Sequence, residues 1–419
     1  MLGSKPQRWR NLGVAAGAAT AVLFAAFDLY QWALAYAADR FHNDFTFYLA
    51  AARIGINHGW SSIYDLSVQQ AELDALGSRI HIAELARYIS PPPLAWLALP
   101  LAPLPYEAGY WVWSALLLIA LVSTWYLAAP ARSTQRLIHL AAALGWLPVI
   151  YGLQLGQPGL FVALGVAGSY ALLRKGRPFL AGLALGVLAL KPQLAFLVPA
   201  ALLLSGRTRA FWGSVLALGV LAGASALALG PSGLAEYTAR LNFAASVPVN
   251  RELTLAPLLG SLLVTRIIQI AIALWSLVLV YRLRGVVYRL LRRTTEWIFI
   301  APLVGGLLAS PYLHLDDLVM LGLAGWLYLR TDRKPRWAWV FLLGVALAIE
   351  GLPVWGPLPM IVGEVAALAL VSVAALKHDD GDAEHHGAEG ENDSGLKRDR
   401  EQLAVDRQPE PVDDRARQA

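Results

Sequence analysis

Arg174-Lys175-Gly176-Arg177, then PFLAGLALGVLAL, then Lys191-Pro192-Gln193, then LAFLVPAALLLSG, then Arg207-Thr208-Arg209: residues 174–209 decide how this chain must fold. Only about 30 residues separate the two basic clusters, too few for two ordinary helical spans of roughly 20 residues each. Pro192 also forbids one continuous helix, because it lacks an N–H and clashes with the preceding turn. Short basic loops mark the cytoplasmic side of a membrane. With basic residues at both ends, the stretch has to leave that side and return to it. The reading is a hairpin of two short helices, with Lys191 at a tip sunk into the outer leaflet.

The rest of the chain supports a membrane setting. Of 419 residues, 57% are hydrophobic and 15% charged, and the mean hydropathy is +0.51, far too apolar for an ordinary soluble protein. The net charge of +5 would suit nucleic acid in a soluble protein, but here its distribution argues for topology and against nucleic acid. Of the 29 acidic residues, 13 follow His378, which leaves 27 basic against 16 acidic residues in the apolar part. Cysteine is absent, so sulfur chemistry and disulfides play no part. Lys5, Arg8 and Arg10 followed by the apolar run from Leu12 to Ala35 resemble a signal peptide, with Ala35-Tyr36-Ala37 as a cleavage pattern. The run exceeds the roughly 7 to 15 residues of a signal core, so a spanning first helix is expected.

Basic residues fall in clusters that alternate with apolar runs. Six inner clusters (residues 5–10, 132–136, 174–177, 207–209, 282–293 and 330–336) hold 19 basic residues, against seven scattered over longer outer segments. About 12 crossings follow, near 12–36, 106–129, 137–154, 157–173, 179–190, 193–206, 211–230, 264–282, 296–309, 317–330, 337–351 and 357–376. The expected fold is an all-α polytopic bundle with both termini cytoplasmic. Residues 1–376 form its membrane domain, and the polar, charge-rich residues 377–419 form a disordered cytoplasmic tail. The outer segment from Ala37 to Pro105 carries amphipathic stretches at Phe45–Ile56 and Gln69–Tyr88, expected to lie on the outer surface with residues 231–254.

Three polar islands then emerge on the outer side: His42-Asn43-Asp44, Lys191-Pro192-Gln193 and Tyr312-Leu313-His314-Leu315-Asp316-Asp317. Ionisable groups near lipid are expensive, so their gathering on one face points to a site. Asp44 can serve as a general base if its aromatic neighbours desolvate it, or simply cap the next helix. Lys191, at a helix break, can hold an anion together with the freed N–H groups of the following helix, or snorkel to the interface. His314 can donate to a phosphate, hold a sugar hydroxyl, or sit idle at the interface. Asp316 and Asp317 beside His314 raise a metal site, but the spacing matches no ligand pattern, and the chain calls for no metal or other cofactor. Gln154 and Gln157, in Leu153-Gln154-Leu155-Gly156-Gln157-Pro158, offer amides for sugar hydroxyls in what is also a good turn. Asp28, Arg266, Glu350 and Glu364 lie in or at the ends of spans and receive no role.

The order of these motifs resembles glycosyltransferase family 87, membrane enzymes of the GT-C type. The match rests on Asn43-Asp44-Phe45 with Tyr48 and Ala50-Ala51, on Tyr64-Asp65, and on Tyr88-Ile89-Ser90-Pro91-Pro92 with Pro100-Leu101-Ala102. It continues through Gly156-Gln157, Ala181-Gly182, Leu190-Lys191-Pro192-Gln193 and Ser310-Pro311-Tyr312-Leu313-His314, and covers residues 10–375. Ser90-Pro91-Pro92 departs from the Tyr-Pro-Pro run common in the family.

The resemblance implies an inverting transfer of a sugar, mannose by preference. The donor is a polyprenyl-phosphate sugar, the acceptor a lipid or glycan, and the reaction takes place on the outer face of the cytoplasmic membrane. Asp44 and His314 are then the catalytic pair, with Asp44 taking the acceptor's proton. The charges of such a reaction then put Lys191 and Arg251 toward the donor phosphate, with Gln157, Gln193, Tyr48 and Tyr312 as expected substrate contacts. The partners are this donor, this acceptor and the membrane lipids. Two rival readings are a transporter or flippase for a lipid-linked sugar and a surface-polysaccharide polymerase or ligase. The first would need a site reachable from both sides.

Overall fold

The computed structural model describes residues 5–83, 86–130, 135–289, 295–331 and 337–373, and among them there are helices and no strands. Residues up to Val371 form one compact unit. The tail 377–419, with its expected disorder, and the inner basic residues Arg132, Arg292, Arg293, Arg333, Lys334 and Arg336 lie outside the described residues.

Helix α1 (Lys5–Ala38) leads to three shorter helices, α2 (Phe45–Asn57), α3 (Leu66–Ala75) and α4 (Pro92–Ala98). Then come α5 (Tyr106–Ala128), α6 (Gln135–Leu144), α7 (Leu147–Leu155) and α8 (Gly159–Arg174). Helices α9 (Pro178–Ala184) and α10 (Leu197–Leu204) flank Lys191, followed by α11 (Thr208–Ser246) and the one-turn α12 (Ala256–Leu259). The described part closes with α13 (Leu262–Arg289), α14 (Trp297–Leu308), α15 (Val319–Arg330), α16 (Ala338–Glu350), the one-turn α17 (Leu352–Trp355) and α18 (Leu358–Val373).

Among the described residues four stretches are long and apolar enough to cross a membrane: Leu12–Ala38, Tyr106–Ala128, Thr208–Ser246 and Leu262–Arg284. A fifth exists if α6 and α7, bent by 57°, act as one. The expectation of 12 crossings is not confirmed. Most of the expected spans are helices, but α8 has 16 residues and α14 and α15 have 12 each. At 1.5 Å per residue these reach about 24 and 18 Å, short of the roughly 30 Å hydrocarbon thickness. Glycine and proline turns consume the ends, as at Gly156 (φ +73), which closes α7 in the left-handed conformation that glycine adopts without strain.

One correction concerns Gln69–Tyr88. The helix there is only Leu66–Ala75, started by the Asp65 carboxylate accepting from the N–H groups of Ser67 and Val68, and the chain turns at Gly77 (φ +78). The stretch at Phe45–Ile56 is helical, as α2. Helix α11 is kinked at Gly230, so its second half, beyond Pro231, runs as a separate helical segment.

Around Lys191 the chain does form two short helices. Helix α9 tightens into a 3-10 stretch over Leu185–Ala189, Lys191 is extended (φ −153°), and a 3-10 turn at Pro192–Leu194 precedes α10. A Cβ on Gly182 would land on the Ala210 carbonyl, and one on Gly213 on the Phe179 carbonyl, so the starts of α9 and α11 are in direct backbone contact. The segment therefore returns to where it began, which places Arg177 and Arg207 together at one end. Helix α8 runs alongside, with Gly165 against Val187 and Gly159 against Leu194. Lys191 thus lies at the end opposite Arg174.

The two ends of the bundle differ in chemistry. At the basic end Arg174 approaches Glu296 at 3.8 Å, and Arg330 donates to the Ala129 carbonyl at 3.1 Å. At the other end converge the turn after α1, the α7–α8 turn, the Lys191 tip and the α14–α15 turn. Between the ends, α14 is buried over all its 12 residues and forms the centre of the core. An all-round apolar helix has nowhere else to go. Large apolar side chains such as Phe24, Leu227 and Ile270 remain exposed on α1, α11 and α13, as expected of faces turned to lipid.

Candidate functional site

Asn43 and Asp44 open α2, and the structure divides their tasks. Asp44 occupies the cap position but makes no capping hydrogen bond. Asn43 caps instead, its Oδ1 accepting from the Thr46 N–H at 3.2 Å, while its Nδ2 donates to the Tyr106 hydroxyl at 2.9 Å and the Arg40 carbonyl at 2.7 Å. The Asp44 carboxylate is thereby free to turn toward the α7–α8 turn. Its backbone N–H donates to the Leu155 carbonyl at 2.9 Å, and its Oδ2 accepts from the Gln157 amide.

Gln157 is held by the turn that Gly156 makes. Its N–H donates back to the Gly152 carbonyl at 2.8 Å, and Trp113 Nε1 donates to the Gly156 carbonyl at 2.7 Å. With Nε2 committed to Asp44, Gln157 Oε1 accepts from Lys191 Nζ at 3.0 Å. The Lys191 ammonium further faces Asp316 Oδ2 at 2.6 Å and Asp317 Oδ1 at 2.5 Å. One amide therefore links a carboxylate to an ammonium, and two further carboxylates hold that ammonium. Lys191 is 8% exposed, Asp316 1% and Asp317 0%, so these charges are mutually compensated rather than hydrated.

Charge and burial set the protonation states. Burial, with help from Asp316, pushes the Asp44 carboxyl up to about 6, against the lowering pull of Lys191 and the Gln157 hydrogen bond. Asp44 still keeps part of its surface open. Asp317 is also raised, by burial first, with Lys191 opposing. For Lys191 burial works downward, but Asp316 and Asp317 overcome it and the ammonium is held well above its ordinary range.

His314 stands at the start of the 3-10 turn Leu315–Leu318, its N–H donating to Asp317 Oδ2 at 2.9 Å. The imidazole stacks on Tyr312, with ring centroids 4.6 Å apart, and Nε2 lies 2.9 Å from Asn250 Oδ1. Asn250 Nδ2 is committed to the Ala244 carbonyl at 2.7 Å, so Oδ1 is what it offers His314. The imidazole consequently carries its proton on Nε2 and leaves Nδ1 as an acceptor. Burial lowers the His314 pKa to about 4, so the ring is neutral at pH 7.

The expected residues thus divide into three groups. Asp44, Gln157 and Lys191 meet directly, and Asp317 joins His314 to them. The buried phenol of Tyr48 feels the charges of Asp44 and Asp316, and that of Tyr312 the charge of Lys191. Gln193 is half-buried beside the tip and makes no hydrogen bond among the described residues, and Arg251 reaches only the Ser246 carbonyl, at 3.4 Å.

Two details of the expected phosphate site change. The helix after Lys191 does not begin there: the Leu194 and Ala195 amides donate to the carbonyls of Lys191 and Pro192 in a 3-10 turn, and α10 starts only at Leu197. The ammonium also already donates to Gln157 and Asp316 and lies against the Asp317 carboxylate. Sequence alone gives Asp316, Asp317 and Asn250 no place in this linkage. The one signal for the two aspartates was a pair of adjacent carboxylates at the start of an apolar helix, which hydrocarbon does not tolerate unpaired. Among the described residues no group of three or more His, Asp or Glu side chains has the arrangement of a metal site.

No curated protein and no solved structure matches the chain. The family model of glycosyltransferase family 87 matches residues 88–311, more than half of the sequence, a region that contains Gln157, Lys191 and Asn250. On that match, the chain is a member of glycosyltransferase family 87.

Proposed function

We propose that this glycosyltransferase is a GT-C-type enzyme that moves a sugar, mannose by preference, from a polyprenyl-phosphate donor to a lipid or glycan acceptor, with inversion, at the outer face of the cytoplasmic membrane. In this reading the short helices complete about 12 passes around the long ones, the termini are cytoplasmic, and residues 377–419 are a tail outside the catalytic domain. The observation that carries it is the Asp44 carboxylate, released from capping and linked through Gln157 to Lys191.

A general base works best with a pKa near the operating pH, and the value of about 6 meets that condition. Asp44 takes the proton of the acceptor hydroxyl as its oxygen attacks the anomeric carbon. The C–O bond to the phosphate breaks on the opposite face, and the polyprenyl phosphate leaves with the bonding pair. Lys191 fixes Gln157, and so Asp44, while its charge faces the developing anion. Arg251, one residue beyond the Asn250 that holds His314, is the cation that meets the phosphate. Neutral His314 accepts from a sugar hydroxyl through Nδ1, with Tyr48, Gln193 and Tyr312 as further substrate contacts. Basic residues at the opposite end of the bundle support the orientation.

The test is donor choice and stereochemistry. Purified full chain is given labelled polyprenyl-phosphate mannose or GDP-mannose with membrane glycolipids, and the product anomer is read by NMR. Transfer from the lipid donor with inversion is expected; transfer from GDP-mannose alone, or with retention, would overturn the proposal.

A further inference from the structure

A cleft of about 230 Å³ opens beside the two turns that carry Asp44 and Gln157, and nothing above gives it a task. Its walls include Tyr36, Asp39, His42, Asn43, Tyr110 and Gln154. Two of these are already saturated. Asn43 is consumed by the cap, and the Tyr110 hydroxyl accepts from Trp32 Nε1 at 2.6 Å and donates to the Gln154 carbonyl at 2.9 Å. The others are not. The Tyr36 hydroxyl is buried with no hydrogen-bond partner, the side chains of His42 and Gln154 make no hydrogen bond among the described residues, and Asp39 uses only Oδ1, for the Phe41 N–H at 3.0 Å.

The phenol of Tyr36 is locked in place. It stacks on Tyr110 at 4.6 Å and leans on Trp111 at 4.9 Å, so the orphan hydroxyl cannot swing away to find water. An unpaired buried hydroxyl is a standing penalty unless something brings it a partner.

The chemistry narrows the occupant. No lysine or arginine lines the cleft, Asp39 puts a carboxylate there, and neighbouring Arg40 is tied to Glu107, so a phosphate is unwelcome. An alkyl chain would bury four uncommitted polar groups without partners. An uncharged polyol satisfies them and sets its C–H faces against phenol rings. The volume lies below the range of about 300–1,000 Å³ that takes drug-sized ligands, which fits one pyranose ring and not an oligosaccharide. Position says which sugar it would be. Asn43 in the wall precedes Asp44, and the base must lie against the acceptor, not against the departing phosphate.

We propose that the cleft formed by Tyr36, Asp39, His42 and Gln154 is a subsite for one neutral hexopyranoside ring of the acceptor, so that the acceptor is a glycan or glycolipid and not a simple lipid alcohol. This rests on the role of Asp44 as base proposed above. The Tyr36 hydroxyl and Gln154 amide contact ring hydroxyls, and Asp39 and His42 bind at the rim.

Saturation-transfer NMR on the full chain in nanodiscs tests it, using methyl α-D-manno-, gluco- and galactopyranoside as probes. At least one should receive saturation from wild type, and the signal should fall about fivefold, the worth of one net hydrogen bond, in Tyr36→Phe and in Gln154→Leu. Tyr36→Phe removes only an unpartnered hydroxyl, so its Tm should stay level or rise, which separates lost binding from lost fold. Silence from all three probes, or an unchanged signal in either variant, would overturn the subsite. Asp44→Asn should keep the glycoside signal whatever happens to its turnover, so failure of the base assignment and failure of the subsite read out separately.

Discussion

Asn43 and Asp44 show how finely the site depends on single side chains. Either residue type can cap a helix, and the sequence alone leaves open which does. Tyr106 settles it by bonding Asn43, which frees its neighbour for Gln157. The sign of the pH effect follows. Burial raises the Asp44 pKa, so this group favours the folded state when protonated, and the contribution is lost as pH climbs from 3.8 through about 6. With Asp44 in its proposed role as base, activity runs the other way, because a base must be ionised, and kcat/KM should show an acid limb near 6. Asp316 raises the Asp44 pKa and the Gln157 hydrogen bond lowers it. Asp316→Asn should therefore shift that limb to lower pH and Gln157→Leu to higher pH, each by about one unit, in pH–rate profiles. Shifts in the same direction would contradict the linkage.

At the scale of elements, the hairpin at residues 178–207 was legible because Pro192 and the flanking basic clusters leave no other solution. Its packing was not legible. That Gly182 and Gly213 seat the start of α9 on the start of α11 depends on residues distant in sequence, and a glycine in an apolar run reads equally as filler. Gly182→Val should force the two helices apart, lower the Tm by an amount reflecting about 1–3 kcal/mol of overpacking, and reduce transfer by displacing Lys191. An unchanged Tm would refute that contact. The length of each crossing was not legible for a related reason: hydropathy marks apolar runs, but Gly156, Pro158 and Ser310-Pro311 decide where helices stop. The role of Asp316 and Asp317 was hidden because their partner, Lys191, lies on another turn.

The whole molecule gathers the carboxylates of Asp44, Asp316 and Asp317, the Gln157 amide and the His314 imidazole at one end and Arg174, Arg177 and Arg207 at the other. The all-α class, the membrane character and the convergence of His314, Lys191 and Asp44 follow from charge distribution and motif order. The state of each group follows only from the packing: a neutral His314, an ammonium held between Gln157 and two carboxylates, and a partly protonated Asp44. The native chain has no cysteine, so orientation can be read from single introduced ones. In intact cells a membrane-impermeant maleimide should label Val249→Cys and spare Lys175→Cys, both exposed positions; the reverse pattern would invert the topology. The central claim is that the Asp44 carboxylate performs the chemistry. It is tested most directly by the turnover of polyprenyl-phosphate mannose by folded Asp44→Asn, whose amide oxygen can still accept from Gln157. A loss of about 100-fold or more with an unchanged Tm is the result expected of a missing general base, and wild-type turnover would contradict the account.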